Sequence, residues 1–143
     1  MIEKARTVIF ILDSFSLLTL FLNQPGAEIV RAHLARAADG GYRHLLSGIN
    51  YGEVFYTMIR RKGERAAEKI RTNIADLPID IVMPSFELMV SASRLKAGGG
   101  LSYADCFAAA LAHERSIPVL TGDPEFKRLE PLGIKVERLP PNR

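Results

Sequence analysis

The stretch TVIFILDSFSLL at residues 7–18 decides the fold, because an apolar run ends there on an acidic residue and a helical pattern begins. Residues 7–12 are apolar and rich in β-branched side chains, which is typical of a strand buried on both faces of a sheet. Residues 13–23 then predict a helix capped by Asp13 or Ser14. A buried strand that leads directly into a helix indicates a βαβ unit.

The rest of the chain repeats this alternation. Further strands are predicted at 44–49, 79–84, 118–122 and 134–139, and further helices at 27–37, 50–62, 64–77, 85–97 and 102–115. Strands separated by helices predict an α/β fold whose mostly parallel sheet is covered on both faces. No repeat or linker divides the chain, so we expect a single domain over 1–143 with a loose tail at 140–143.

The composition narrows the class of protein. The single cysteine, Cys106, excludes an internal disulfide and a cysteine-rich zinc site, and it fits a reducing compartment. The apolar runs at 8–12 and 17–22 are too short to cross a bilayer, so we expect a cytoplasmic protein with no membrane segment. The formal net charge of +3 mildly favours an anionic partner such as nucleic acid.

Four acidic residues fall where predicted strands meet helices. Asp13 follows the first strand, Glu53 lies in the first turn after the second, and Asp123 follows the strand at 118–122. Asp105 lies in the first turn of the helix that precedes that last strand. Ligands of open parallel sheets bind beyond the carboxyl ends of the strands, so these carboxylates are candidates for one common site.

Each of these acids also fits a helix start. The matching patterns are Asp13 as a cap, Asn50 with Glu53, Ser102 with Asp105, and Asp123 with Pro124. A capping box places an acid three residues after the cap, and proline is common at the first helical position. The spacing alone therefore leaves two explanations open, a helix cap or a functional site.

The directions in which these acidic side chains point, and the number of acids at these particular helix starts, favour a functional site. Glu53 points roughly opposite the apolar stripe of its helix, so it is free to face a cleft. Asp105 lies on a side with Ala108, Ala109 and Ala112, whose small side chains leave room for a ligand or for another backbone. Other helices of the chain begin without such acids, for example at Pro25.

Converging carboxylates repel one another, and a divalent cation offsets that repulsion. All-oxygen sites suit Mg²⁺ or Mn²⁺, which can activate water and neutralise charge on a phosphodiester.

Residues 60–71 hold six basic and two acidic side chains, which are either a solvated helix face or a surface for phosphate contacts. The candidate RNA-phosphate contacts are Arg60, Arg61, Lys62, Arg94 and Lys96.

Four ordered motifs carry a family resemblance over nearly the whole chain. They are LDSFSLL at 12–18, INYGEV at 49–54, LSYADCFAAALA at 101–112 and TGDPEF at 121–126. On these motifs the chain resembles PIN-domain ribonucleases, most closely the VapC-like toxins of type II toxin–antitoxin systems. The resemblance implies an α/β/α sandwich with a parallel sheet, and an endoribonuclease that depends on Mg²⁺ or Mn²⁺.

The resemblance also implies roles for individual residues. The catalytic, metal-binding quartet would be Asp13, Glu53, Asp105 and Asp123, with Asp13 and Asp105 as direct metal ligands and with supporting hydroxyls from Ser14 and Thr121. One departure follows Asp13, where the family often has a small residue and then a serine or asparagine, whereas in this chain Ser14 is followed by Phe15. The family further implies a homodimer and a small antitoxin partner that blocks the site.

The main hypothesis is therefore a Mg²⁺-dependent endoribonuclease acting as the toxin of a toxin–antitoxin pair. One alternative is a catalytically idle module of the same fold that binds RNA or protein. Another alternative keeps the metal site but makes DNA the substrate.

Overall fold

The computed structural model describes residues 7–141. Over that range the chain forms one sheet from β1 (Ile11–Leu12), β2 (His44–Ser47), β3 (Ile79–Val82), β4 (Val119–Thr121) and β5 (Val136–Arg138). The strand order is β3-β2-β1-β4-β5, and every neighbouring pair is parallel. Strand β1 is central, because Ile11 pairs with Leu45 of β2 and with Val119 of β4. The predicted parallel sheet is confirmed.

Helices cover both faces of the sheet, as the α/β/α prediction requires. They are α1 (Ser14–Phe21), α2 (Ala27–Gly40), α3 (Gly48–Lys62), α4 (Glu64–Ala75), α5 (Phe86–Ala97), α6 (Tyr103–Arg115) and a 3₁₀ helix (Pro124–Leu132). Successive strand residues point to opposite faces. Ile11 and Val119 accordingly join the apolar cluster under α5 and α6, whereas Leu12 joins the cluster under α1 to α4.

The alanine-rich helix α6 lies inside the first of these clusters. Residues 108–112 are all buried, and Cys106 is buried beside them as a small apolar side chain. The small side chains let α6 pack closely against α5 and the sheet. The sequence left open whether these alanines make room for a ligand or for another backbone. The structure supports the second explanation.

Two sequence-based boundaries are wrong, and both have a physical reason. Strand β1 covers 11–12 rather than 7–12, since the Phe10 N–H donates to the His44 side chain instead of to a neighbouring strand. Helix α3 begins at Gly48, with Ser47 as its cap, whose Oγ accepts from Ile49 N at 3.2 Å. The predicted capping role of Asn50 is therefore incorrect.

The two ends of the chain limit what can be described. Residues 142 and 143 of the predicted tail lie outside the described range. Across residues 7–141, no helix combines the length and the apolar character that crossing a membrane requires.

Candidate active site

Asp13 lies at the carboxyl end of the central strand and caps α1. Its Oδ1 accepts from Ser16 N at 2.8 Å, and Ser16 Oγ accepts from Asp13 N at 3.1 Å, which forms a reciprocal capping box. The side chain is fully buried, and its Oδ2 has no hydrogen-bond partner among the described residues. A buried carboxylate oxygen without a partner is costly, so it indicates a place where a further group binds.

The pKa of Asp13 is raised to about 6, chiefly by burial and to a smaller extent by the charge of Asp123. The Thr121 hydroxyl and the Ser16 donors act in the opposite direction. Thr121 and Asp123 can influence Asp13 because β4 pairs directly with β1. Chain order reverses at this strand pair, the position in an open sheet where a crevice forms.

Asp105 lies in the first turn of α6, where Ser102 Oγ accepts from its N–H at 3.2 Å, as the capping prediction requires. The pKa of Asp105 is raised to about 7, chiefly by burial and then by the charges of Asp13, Asp123 and Glu53. The Ser102 hydroxyl lowers it. Asp105 therefore responds electrostatically to all three of the other predicted site acids, so cap and charged neighbour are compatible roles for one residue.

The four acids affect one another through their charges, but their side chains do not form a complete coordination site for a metal ion. Within residues 7–141, no three acidic, histidine or cysteine side chains converge closely enough to hold one metal ion. Asp123 is partly engaged as the cap of the 3₁₀ helix, where its Oδ1 accepts from Glu125 N at 3.0 Å. Carboxylate donors and the free Oδ2 of Asp13 nevertheless suit Mg²⁺ or Mn²⁺, which prefer oxygen ligands.

Asn50 is a buried polar residue that the sequence assigned wrongly. Its Nδ2 donates to Ser14 Oγ at 3.1 Å, and Ser14 Oγ donates to the Asn50 backbone oxygen at 3.3 Å. The predicted supporting hydroxyl of Ser14 is thus used to join α1 to α3. The pattern S-G-I-N, with two candidate caps before one helix, was the available signal that one of them faces inward.

Phe15 is accommodated by Gly122, the residue immediately before Asp123. A Cβ atom at Gly122 would lie 2.2 Å from Cε1 of the Phe15 ring, so no larger residue fits there without movement. The aromatic ring and the glycine therefore form a matched pair at the rim of the site. This pairing explains how the chain tolerates its departure at Phe15.

Glu53 is half-buried on α3, on the side away from the buried Val54 and Met58. The Tyr56 hydroxyl donates to Glu53 Oε2 at 3.4 Å. The exposed Arg60, Arg61 and Lys62 form the last turn of the same helix.

The other two candidate phosphate contacts are placed differently. Lys96 Nζ donates to Leu101 O at 2.9 Å and so holds the glycine-rich loop that precedes α6. Arg94 lines a cleft with Glu87, His113 and Glu114. That cleft lies at the far end of α6 from Asp105, because His113 is about 12 Å along the helix axis at 1.5 Å per residue.

The PIN domain family matches residues 10–131, and the chain belongs to that family. No curated protein matches the chain at a significant level. The family prediction and the predicted fold class are both confirmed.

Solved structures share this fold at low sequence identity. The DNA-bound VapBC structure from Salmonella typhimurium has a TM-score of 0.74 and 19% identity, with 92% of this chain and 98% of that chain covered. VapBC2 from Rickettsia felis, bound to a promoter DNA fragment, has a TM-score of 0.73 and 17% identity, with 92% of this chain and 99% of that chain covered. VapC20 from Mycobacterium tuberculosis, a sarcin–ricin loop cleaving toxin, has a TM-score of 0.69 and 15% identity, with 83% of this chain and 93% of that chain covered. The likeness establishes a common fold.

Proposed function

We propose that the protein is a Mg²⁺-dependent endoribonuclease and the toxin of a toxin–antitoxin pair. The observation that carries this proposal is the electrostatic coupling of Asp105 to Asp13, Asp123 and Glu53 at one edge of the sheet. Buried acids that raise one another's pKa destabilise a protein, and such groups are concentrated at functional sites. Membership of the PIN domain family supports a nuclease as that site's function.

Asp13 and Asp105 are the proposed direct ligands of Mg²⁺ or Mn²⁺, with Glu53 and Asp123 completing the quartet. When bound, the cation supplies charge neutralisation and a more acidic water. The capping bonds of Ser16 and Ser102 fix the positions of the two ligands. Among residues 7–141 these side chains do not converge on one point, so they would have to come closer together to hold a cation.

The remaining residues of the edge have positioning roles in this proposal. The Thr121 hydroxyl accepts from Asp123 N at 3.1 Å and so holds the strand end next to Asp13. The exposed Arg60, Arg61 and Lys62 are the proposed contacts with RNA phosphates. Lys96 and Arg94 are weaker candidates, because the first is bonded to the loop and the second lies at the far end of α6.

The toxin role adds a protein partner. Several similar structures are VapBC proteins, and one is a toxin–antitoxin complex from Klebsiella pneumoniae. We propose by analogy that a small antitoxin covers the acidic edge of this protein, that the chain forms a homodimer, and that both act in the cytoplasm.

Cleavage of a labelled single-stranded RNA with Mg²⁺, Mn²⁺ or EDTA tests the nuclease. We expect metal-dependent cleavage that falls at least a hundredfold in Asp13→Asn and Asp105→Asn, with the fold retained. Asp39→Asn, an exposed acid on α2, is the matched control and should cleave normally. Full activity in either site variant would contradict the proposal.

Two further results separate the alternatives. Cleavage of DNA but not RNA, in the same assay, would identify a DNA nuclease. No cleavage together with no rise of the melting temperature on adding Mg²⁺ would identify an idle binding module, because a ligand of the native state stabilises it.

A further inference from the structure

Tyr56 is a large aromatic side chain that stays exposed beside the acidic edge, with 46% of its surface accessible. Its hydroxyl donates to Glu53 Oε2, and the guanidinium of Arg60 lies over its ring at 5.1 Å from the centroid. The three residues are spaced i, i+3 and i+7, so they share one face of α3. An aromatic ring therefore connects a site acid to the basic end of the same helix.

Helix stability accounts for only part of this arrangement. Cations in a last turn do interact favourably with the helix dipole, which explains a basic residue at position 60. It does not explain an exposed aromatic ring one turn earlier, which buries little apolar surface. Arg60, Arg61 and Lys62 also form no ion pair with any acid of residues 7–141, so their charge is available to an external anion.

We propose that Tyr56 is a stacking platform for an unpaired base of the RNA substrate, with Arg60 holding the adjacent phosphate. This inference rests on the proposed nuclease function and assigns Tyr56 a role in positioning the substrate of that site. Aromatic side chains stack on bases regardless of sequence, because every base has an aromatic face. A base inside a duplex is already stacked on both sides, so a duplex cannot use the platform.

The dimensions of α3 fit this role. Glu53 and Arg60 are seven residues apart, which corresponds to about 10 Å along the helix axis. Tyr56 lies between Glu53 and Arg60 on the same face of the helix. A strand that contacts Arg60 and stacks on Tyr56 is thereby directed towards Glu53 and the other acids.

The test measures RNA binding and cleavage separately. Fluorescence anisotropy in EDTA gives the affinity for a labelled single-stranded RNA and for its duplex without cleavage. We expect Tyr56→Leu to bind the single strand about tenfold more weakly. Tyr56→Phe should bind the single strand in EDTA as tightly as the wild type, because the ring remains. In Mg²⁺ the KM of Tyr56→Leu should be higher by a similar factor than that of Tyr56→Phe, since both variants lack the hydroxyl that donates to Glu53 and differ only in the ring.

Phe86→Leu is the matched control, since Phe86 is another exposed aromatic residue, 71% accessible, on a different helix. It should leave both affinities unchanged, and duplex affinity should be the same in all variants. The inference is overturned if Tyr56→Leu binds the single strand like the wild type, or if Tyr56→Phe loses as much as Tyr56→Leu. Failure of the nuclease function itself appears separately, as a wild-type protein that cleaves no RNA.

Discussion

Ser14 and Asn50 join α1 to α3 through two hydrogen bonds, with both side chains buried directly behind the acidic edge. Ser14 follows Asp13 in sequence, and Asn50 lies one turn before Glu53. The pair therefore fixes the distance between the two helices that carry these acids. Asn50 Oδ1 has no further partner among the described residues, so the link has little redundancy.

Removing this link should destabilise the protein. Asn50→Ala removes the bond that the Asn50 side chain donates to Ser14 Oγ and leaves only the bond from Ser14 Oγ to the backbone oxygen of residue 50, so we expect a loss of about 1 kcal/mol in the free energy of unfolding. Ser14→Ala should cost a similar amount, and the double variant should cost less than the sum, because the residues bond to each other. Urea unfolding measures all three. Thr72→Ala, on an exposed face of α4, should change stability by less than about 0.5 kcal/mol.

Gly122 and Gly52 offer opposite outcomes for the same substitution. Gly122→Ala should destabilise the protein by about 1–3 kcal/mol, because its Cβ would collide with the Phe15 ring. Gly52→Ala should stabilise it by about 0.5–1 kcal/mol, because Gly52 lies inside α3 with open space around it. Thermal unfolding decides both. A Gly122→Ala protein of normal stability would mean that the ring moves at little cost.

Neutralising Asp105 should stabilise the metal-free protein. At pH 8 the wild-type carboxylate is charged, partly buried and repelled by neighbouring acids, whereas Asp105→Asn removes that charge. We expect a melting temperature higher by about 2–4 °C in EDTA, which corresponds to about 1 kcal/mol after solvent screening. Mg²⁺ should then stabilise the wild type more than the variant. Asp39→Asn serves again as the control, and a lower melting temperature for Asp105→Asn would contradict the reasoning.

His44 should make stability fall in weak acid. Its Nδ1 accepts from Phe10 N at 3.0 Å and its Nε2 lies 3.0 Å from the His33 backbone oxygen, so the bonded form is neutral with the proton on Nε2. Burial lowers the pKa of His44 below its usual 6.5. The stability it contributes is thus present above about pH 6.5 and lost as the pH falls through the lower folded-state value.

The comparison with His44→Asn isolates this effect, because asparagine can still accept from Phe10 N but does not titrate. The unfolding free energy of the protein that keeps His44 should fall relative to the variant between pH 7 and pH 5, as measured by urea unfolding at each pH. Both proteins carry His33→Asn, because His44 itself contributes to lowering the pKa of His33 and that contribution would otherwise differ between them. Parallel profiles would show that His44 is not responsible.

Local sequence signals predicted most of the fold. The caps at Asp13, Ser102 and Asp123 are all confirmed, because a cap depends on side-chain bonds within three residues. Asn50 was assigned wrongly because the choice between it and Ser47 depends on Ser14, which is 36 positions away. The length of β1 likewise depends on His44, a long-range partner of Phe10.

The sequence predicted which residues belong to the candidate site, but not how the side chains around them contact one another. Parallel topology alone places residues after β1 and β4 at one edge, which is why Asp13 and Asp123 could be named. The exposure of Tyr56, the bond from Lys96 to Leu101 and the contact between Phe15 and Gly122 depend on side-chain packing. No periodicity in the sequence encodes such contacts.

The central strand pair joins β1, near the start of the chain, to β4, near its end. Contacts between such distant positions form late, because a long loop must close first. A growing polypeptide on the ribosome therefore carries Asp13, Glu53 and Asp105 before it has Asp123 or the strand that aligns them. The order of the strands thus lets the acidic edge form only after β4 has been made and has paired with β1.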